Sequence, residues 1–141
     1  MKFFMDYKNL ALLVIMIVSG SLLAVRQLTL YRRSRNTLSS IEATQLINCR
    51  NAVIIDVRSL ADFEIGHLPF SKQINISEIR EKITQIVKNK GASVLIVCQN
   101  GKQSQKVAHI ATEAGYTEVY VLDGGIVSWQ QSGMPIIRKK L

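Results

Sequence analysis

The sequence predicts an α/β fold, and three observations carry that expectation. Short apolar, β-branched runs occur at 52–57, 93–97 and 118–122; apolar residues recur at helical spacing between them; and glycines or polar breaks mark the changeovers. Strands joined through helical crossovers build a parallel sheet. In such sheets ligands bind beyond the carboxyl ends of the strands. At 141 residues the chain is long enough for one such domain with an appendage.

The appendage comes first. Residues 10–25 (LALLVIMIVSGSLLAV) contain no charge. That core is shorter than the roughly 20 residues needed to cross a bilayer, and extension through Arg26 and Gln27 to Leu30 makes up the length, because an arginine near a helix end snorkels its head to the interface. Ser19, Gly20 and Ser21 suit a membrane helix. A cleaved signal peptide is the rival reading, but Leu22 and Ala24 make a poor small-x-small pair and basic residues follow closely. A buried helix of a soluble protein is weaker still, since nothing in the stretch is amphipathic. The expected organisation is an N-terminal transmembrane anchor with a basic flank over 1–35 and a folded domain over 36–141.

Charge placement supports this division. The formal net charge is +8. Residues 1–35 hold six basic side chains against Asp6, and Arg138, Lys139 and Lys140 close the chain, whereas 36–137 carries nine basic and nine acidic side chains. A nucleic-acid-binding domain carries its basic face on the folded body. This body is neutral, so no nucleic-acid partner is expected. Four arginines follow the span and two lysines precede it, which by the positive-inside rule sets a single pass through the inner (cytoplasmic) membrane with the C-terminal domain in the cytoplasm. A reducing compartment would keep Cys49 and Cys98 as thiols. The basic segments at 32–35 and 138–140 set topology and would lie near anionic lipid.

Along the domain, 34–40 reads as a polar linker. Ser39 and Glu42 have capping-box spacing, and Ile41, Leu46 and Ile47 form the expected inward face of a helix ending near Cys49. Cys49 reads as structural or incidental. After the strand at 52–57, Arg58 opens a long mixed loop with Gly66, His67 and Pro69. Ile74 and Ile76 alternate with polar residues in a brief extended piece. Ile79, Ile83, Ile86 and Val87 predict a helix over 77–88, with Ser77 as its cap and Gly91 beyond its end. Residues 102–114 predict another, stopped by Gly115. The last strand runs into Asp123-Gly124-Gly125 and a helix at 126–131 with the only tryptophan, Trp129.

Chemistry concentrates at 94–104, VLIVCQNGKQS. A buried strand ends in Cys98, a glycine-centred turn follows, and a helix begins near Lys102. Backbone N–H groups of such a turn and the positive end of the helix favour an anion, hence the thiolate of Cys98. The plainer alternative is a small buried hydrophobe at a strand end. Arg58 and Asp123 lie just past two other strand ends, so three loops are expected to converge near the thiol. His67 and His109 fit no general-base spacing and read as structural.

These residues also resemble a known family. Asp56-Val57-Arg58, Asp62-Phe63-x-x-Gly66-His67-Leu68-Pro69, Asn75-Ile76, Cys98-x-x-Gly101-x-x-Ser104 and Leu122-Asp123-Gly124-Gly125 with Trp129 resemble, in order, the signature of rhodanese-like domains over about 38–137. The resemblance implies a five-stranded, mostly parallel sheet flanked by helices, here preceded by one transmembrane helix, an arrangement found in bacterial membranes. It implies sulfur transfer without metal or organic cofactor. Cys98 would take sulfur from a small anionic donor or a persulfide, hold it as a persulfide, and pass it to cyanide or to an acceptor thiol, possibly on a protein. Gln99, Asn100, Gly101, Lys102, Gln103 and Ser104 would form the substrate-binding loop, supported by Asp56, Arg58, Asp123 and Gly124. Two departures stand out. Gln103 occupies a place where the family usually has arginine, and Phe70-Ser71 replaces a small Gly-Ala pair. Without that guanidinium the loop loses a fixed charge, which disfavours thiosulfate against a carried persulfide. A related phosphatase or arsenate reductase would want an arginine where Ser104 stands. The expected function is a membrane-tethered sulfurtransferase; the alternative is a weakly active or inactive rhodanese-like binding module that meets a protein at the membrane.

Overall fold

The computed structural model describes residues 6–140. Lys2 and the side chains of Arg32, Arg33 and Arg35, which enter the charge argument above, lie outside the described residues. The chain divides into two compact units, 1–35 and 36–141.

The first unit is one helix, α1 (Tyr7–Arg35). Its segment Tyr7–Leu28 has 22 residues and a mean hydropathy of 2.0. At about 1.5 Å rise per residue that length matches a hydrocarbon core of about 30 Å, so the helix is long and apolar enough to cross a membrane. Ser19 and Ser21 donate their hydroxyls to the carbonyls of Met16 and Val18, at 3.1 and 2.9 Å. These hydroxyls therefore need no water.

The second unit is a five-stranded sheet with helices on both faces. Its elements are β1 (Thr37–Leu38), α2 (Ser40–Arg50), β2 (Val53–Asp56), α3 (Leu60–Ile65), β3 (Lys72–Gln73), α4 (Ile79–Ile86), β4 (Ser93–Val97), α5 (Lys102–Glu113), β5 (Glu118–Leu122) and α6 (Gly125–Gln131). The order across the sheet is β1-β5-β4-β2-β3, and every pairing is parallel. Strand β4 is buried throughout, which explains its uninterrupted apolar run. Alternation sorts its side chains. Val94, Ile96 and Cys98 join the core with α4 and α5 residues Ile79, Ile83, Val107 and Ala111. Leu95 and Val97 face the other core, with Ala43, Leu122, Ile126 and Trp129.

Several local expectations change. The linker contains β1, which pairs with β5 through Thr37–Val121 and Leu38–Leu122. The long loop after Arg58 contains α3, whose cap Ser59 accepts the Asp62 N–H at 3.2 Å. The extended piece is Lys72–Gln73, beginning two residues earlier than expected, and Ile76 opens a 3₁₀ turn, Ile76–Glu78. Ser77 does not cap α4; Glu78 occupies that position without a side-chain hydrogen bond, and the helix ends at Val87, well before Gly91. In α2 the capping box of Ser39 and Glu42 forms as its spacing suggests. Ile41 however is 64% exposed, and Ala43 takes the buried position. His67 is held by the Phe63 carbonyl at 2.8 Å and stacks on the Phe63 ring. His109 is exposed and pairs with Glu113 at 3.3 Å.

Candidate active site

Parallel strands deliver the ends of β2, β4 and β5 to one edge of the sheet, and the Cys98 loop lies there. Cys98 follows β4 directly, so its side chain inherits the alternation of that strand and turns toward the α5 face. It is 0% exposed. Gly101 then turns the chain with φ of +90°, a conformation open to glycine, and becomes the N-cap of α5. In that geometry its N–H donates to Cys98 Sγ at 2.9 Å. Asn100 Oδ1 accepts the Lys102 N–H at 3.2 Å and secures the first turn of the helix. Sulfur, backbone donor and helix N-terminus therefore meet at one point, an arrangement that stabilises negative charge on sulfur.

Ser104 sits in the first turn of α5 on the face shared with Val107 and Ala111. It is fully buried, and its Oγ has no hydrogen-bond partner. Gln99, Asn100, Lys102 and Gln103 are exposed around the covered thiol.

The loop is clamped from behind by the Asp123-Gly124-Gly125 turn. Ile126 N–H donates to the Cys98 carbonyl at 2.9 Å, and Val127 N–H to the Gln99 carbonyl at 3.3 Å. A Cβ on Gly125 would collide with the Cys98 carbonyl and lie 2.7 Å from Asn100 N. A Cβ on Gly101 would lie 3.3 Å from Gly124 N. Asp123 itself is exposed, and its N–H donates to the Leu38 carbonyl at 2.8 Å, tying β5 to β1.

Arg58 does something other than bring a free charge to the thiol. Its Nη2 lies 2.7 Å from Asp56 Oδ2, its Nε lies 3.0 Å from Asp56 Oδ1, and the same Nη2 donates to the Gly66 carbonyl at 2.6 Å. Both partners of this ion pair are buried. The pair pins the loop after β2 to the chain preceding β3. Such a bidentate arrangement fixes geometry, and deleting one partner leaves an uncompensated buried charge.

Beside the loop opens a cleft of about 650 Å³. Gln99, Asn100, Lys102 and Gln103 form one wall. Val57, Arg58, Ser59 and Asp62 form a second, and Asn75, Ile76 and Ser77 a third. The last three, with Ser59 and Asp62, are site residues that sequence reasoning missed as a group. The Ser59–Asp62 cap spacing was the available signal for α3. Among the described residues no group of three or more His, Cys, Asp or Glu is arranged to hold a metal ion. Both cysteines are free, Cys98 buried and Cys49 exposed.

The thiol lies at the tip of the central strand, covered by a glycine-turned loop that leads into a helix. The sequence model of the rhodanese-like domain matches residues 39–132, and the chain belongs to that family. It is 37% identical over 100 residues to the uncharacterized protein YibN of Escherichia coli strain K12, with 70% of each chain covered. It is 34% identical over 93 residues to the thiosulfate sulfurtransferase GlpE of Coxiella burnetii, covering 66% of this chain and 85% of that one. Among solved structures, a rhodanese with anions from E. coli superposes with a TM-score of 0.56 at 30% identity, over 62% of this chain and 98% of that one.

Proposed function

We propose that this protein is a membrane-tethered sulfurtransferase that carries sulfur as a persulfide on Cys98. The observation that carries the reading is the Gly101 N–H donating to Cys98 Sγ at 2.9 Å, at the N-terminus of α5. Relatives named thiosulfate sulfurtransferase support the same chemistry. The Cys98 thiolate attacks the outer sulfur of a donor, a thiosulfate or a persulfide R–S–SH. The donor S–S bond breaks, and sulfite or R–S⁻ leaves with its electron pair. An acceptor thiolate or cyanide then attacks the outer sulfur of the Cys98 persulfide, and Cys98 leaves as thiolate. No external oxidant or reductant is needed, because the transferred sulfane sulfur carries the oxidising equivalent from donor to acceptor. Backbone donors of the loop stabilise the anionic sulfur in both steps, and the buried, unpartnered Ser104 hydroxyl is one more donor close by in the chain. Because the thiol is covered, the exposed segment 99–103 must shift to admit the donor.

The tether is α1, with its cytoplasmic side set by the arginines that follow the apolar core. It holds the domain in the cytoplasm at the inner membrane.

The test incubates the full chain in detergent with thiosulfate and, separately, with a low-molecular-weight persulfide, and reads intact mass. One added sulfur is expected on the native chain and none on Cys98→Ser, and cyanide should remove it. A folded chain that takes sulfur from neither donor overturns the enzyme reading and leaves a binding module.

A further inference from the structure

The folded domain carries an apolar and basic strip that the sulfur chemistry does not use. Beyond α6 the chain turns back over the surface. Ile137 N–H donates to the His67 carbonyl at 2.8 Å, His67 N–H to the Ile137 carbonyl at 2.9 Å, and Lys139 N–H to the Glu64 carbonyl at 3.1 Å. This antiparallel bridge joins residues 134–140 to residues 64–72 as one ribbon.

Phe70 is the anomaly in that ribbon. It holds the third position of the Leu68–Ser71 turn, which the Ser71 N–H closes on the Leu68 carbonyl at 3.2 Å. Its φ is +62°, a left-handed conformation that favours glycine and strains a bulky side chain. The strain holds an aromatic ring 91% exposed, at the mouth of an apolar hollow of about 170 Å³ lined in part by Ile54, Leu68 and Trp129. Ile65 and Ile137 are exposed further along the ribbon, at 72% and 46%. The ribbon also holds Lys72, Arg138, Lys139 and Lys140 against one acidic side chain, Glu64, which pairs with Lys139 at 2.7 Å. Hydrocarbon flanked by unbalanced positive charge complements an anionic lipid surface. There apolar groups enter the acyl boundary while ammonium and guanidinium groups stay at the phosphates.

We propose that residues 64–72 and 134–140 form a bilayer-docking strip. Phe70, Ile65 and Ile137 enter the interface of an anionic leaflet, and Lys72, Arg138 and Lys140 hold its phosphates. This docking rests on the tether reading of α1. Eight residues, 29–36, separate the apolar span from β1, so the domain stays close to the bilayer and each contact forms within one anchored molecule. Contacts too weak to capture a free protein then suffice. A docked strip also fixes how the domain is turned on the leaflet, which a tether alone leaves open.

The experiment uses the full chain with Cys49→Ser and Cys98→Ser and one introduced cysteine carrying a bimane fluorophore. The cysteine is either Ile65→Cys in the strip or His109→Cys, exposed on α5 outside it. Each chain is reconstituted into phosphatidylcholine vesicles with or without phosphatidylglycerol, and quenching by nitroxide-bearing lipid is measured. The label at position 65 should be quenched strongly in the anionic vesicles and weakly in the neutral ones, and the label at position 109 weakly in both. Arg138→Gln with Lys140→Gln should lower the docked-to-undocked ratio at least about fivefold. Phe70→Gly relieves the strained φ and so keeps the fold; it should lower the ratio about tenfold while the melting temperature holds or rises. Equal quenching at both positions in anionic vesicles overturns this inference alone. So does a label at position 65 that is shielded from aqueous iodide yet untouched by nitroxide lipid, which makes the strip a protein contact. A chain stripped from the vesicles by alkaline carbonate overturns the tether reading, and this inference with it.

Discussion

Gly125 has room for a hydrogen and nothing more. Its φ of +61° already disfavours a side chain, and a methyl group would strike the backbone of Cys98 and Asn100. Alanine at an ordinary left-handed site costs about 1–2 kcal/mol. Gly125→Ala should exceed that, because the atoms it would meet are backbone atoms that cannot swing aside. The expected result is a lowered melting temperature together with loss of sulfur loading on Cys98, read by thermal denaturation and intact mass. Gln103 tests the site from the opposite direction. Gln103→Arg restores a fixed positive charge beside the loop, so loading from thiosulfate should rise about tenfold relative to loading from a neutral persulfide donor.

At the scale of elements, α2 offers the clearest pH test. Glu42 accepts the Ser39 N–H at 2.8 Å, and that bond holds its carboxyl below the ordinary value of 4.5. A carboxyl whose folded value is depressed stabilises the fold above its unfolded value and loses that contribution as pH falls through the folded one. Melting temperature should therefore decline as pH drops below about 4.5 in the native chain, and Glu42→Gln should flatten that part of the profile. This cap was legible in the sequence because its partners are three residues apart. The same holds for the Cys98 loop and for β4, where strand, glycine turn and helix are contiguous and each carries its own pattern. Two short elements were not legible. Strand β1 is two residues long, and its pairing is decided by β5 at the other end of the domain; α3 has six residues, fewer than two turns, too few to show a helical period. The cleft escaped for the same reason, since Asn75 and Gln99 meet only through the sheet. Arg58 could be located in sequence, but its burial against Asp56 and Gly66 depends on tertiary packing.

For the whole molecule, the exposure of one of the two cysteines makes the proposed orientation measurable. Cys49 is exposed and Cys98 is buried, so Cys49 reports on the side of the membrane that the domain occupies. A membrane-impermeant maleimide should label Cys49 in inverted inner-membrane vesicles and leave it unlabelled in intact spheroplasts. Labelling in spheroplasts would place the domain on the opposite side and overturn the cytoplasmic assignment.

The pairing of β1 with β5 also has a consequence in time. Among the described residues, the first strand of the domain to be synthesised pairs with the last, and Asp123 N–H completes that seam on the Leu38 carbonyl. Contacts so distant along the chain form after the loop between them has closed. The inner strands β2, β4 and β5 are therefore expected to assemble before β1 is seated, with β1 as the final stitch. Interactions absent from the folding transition state govern how fast a protein comes apart rather than how fast it forms. Leu38→Ala should leave the refolding arm of a denaturant chevron nearly unmoved and raise the unfolding arm.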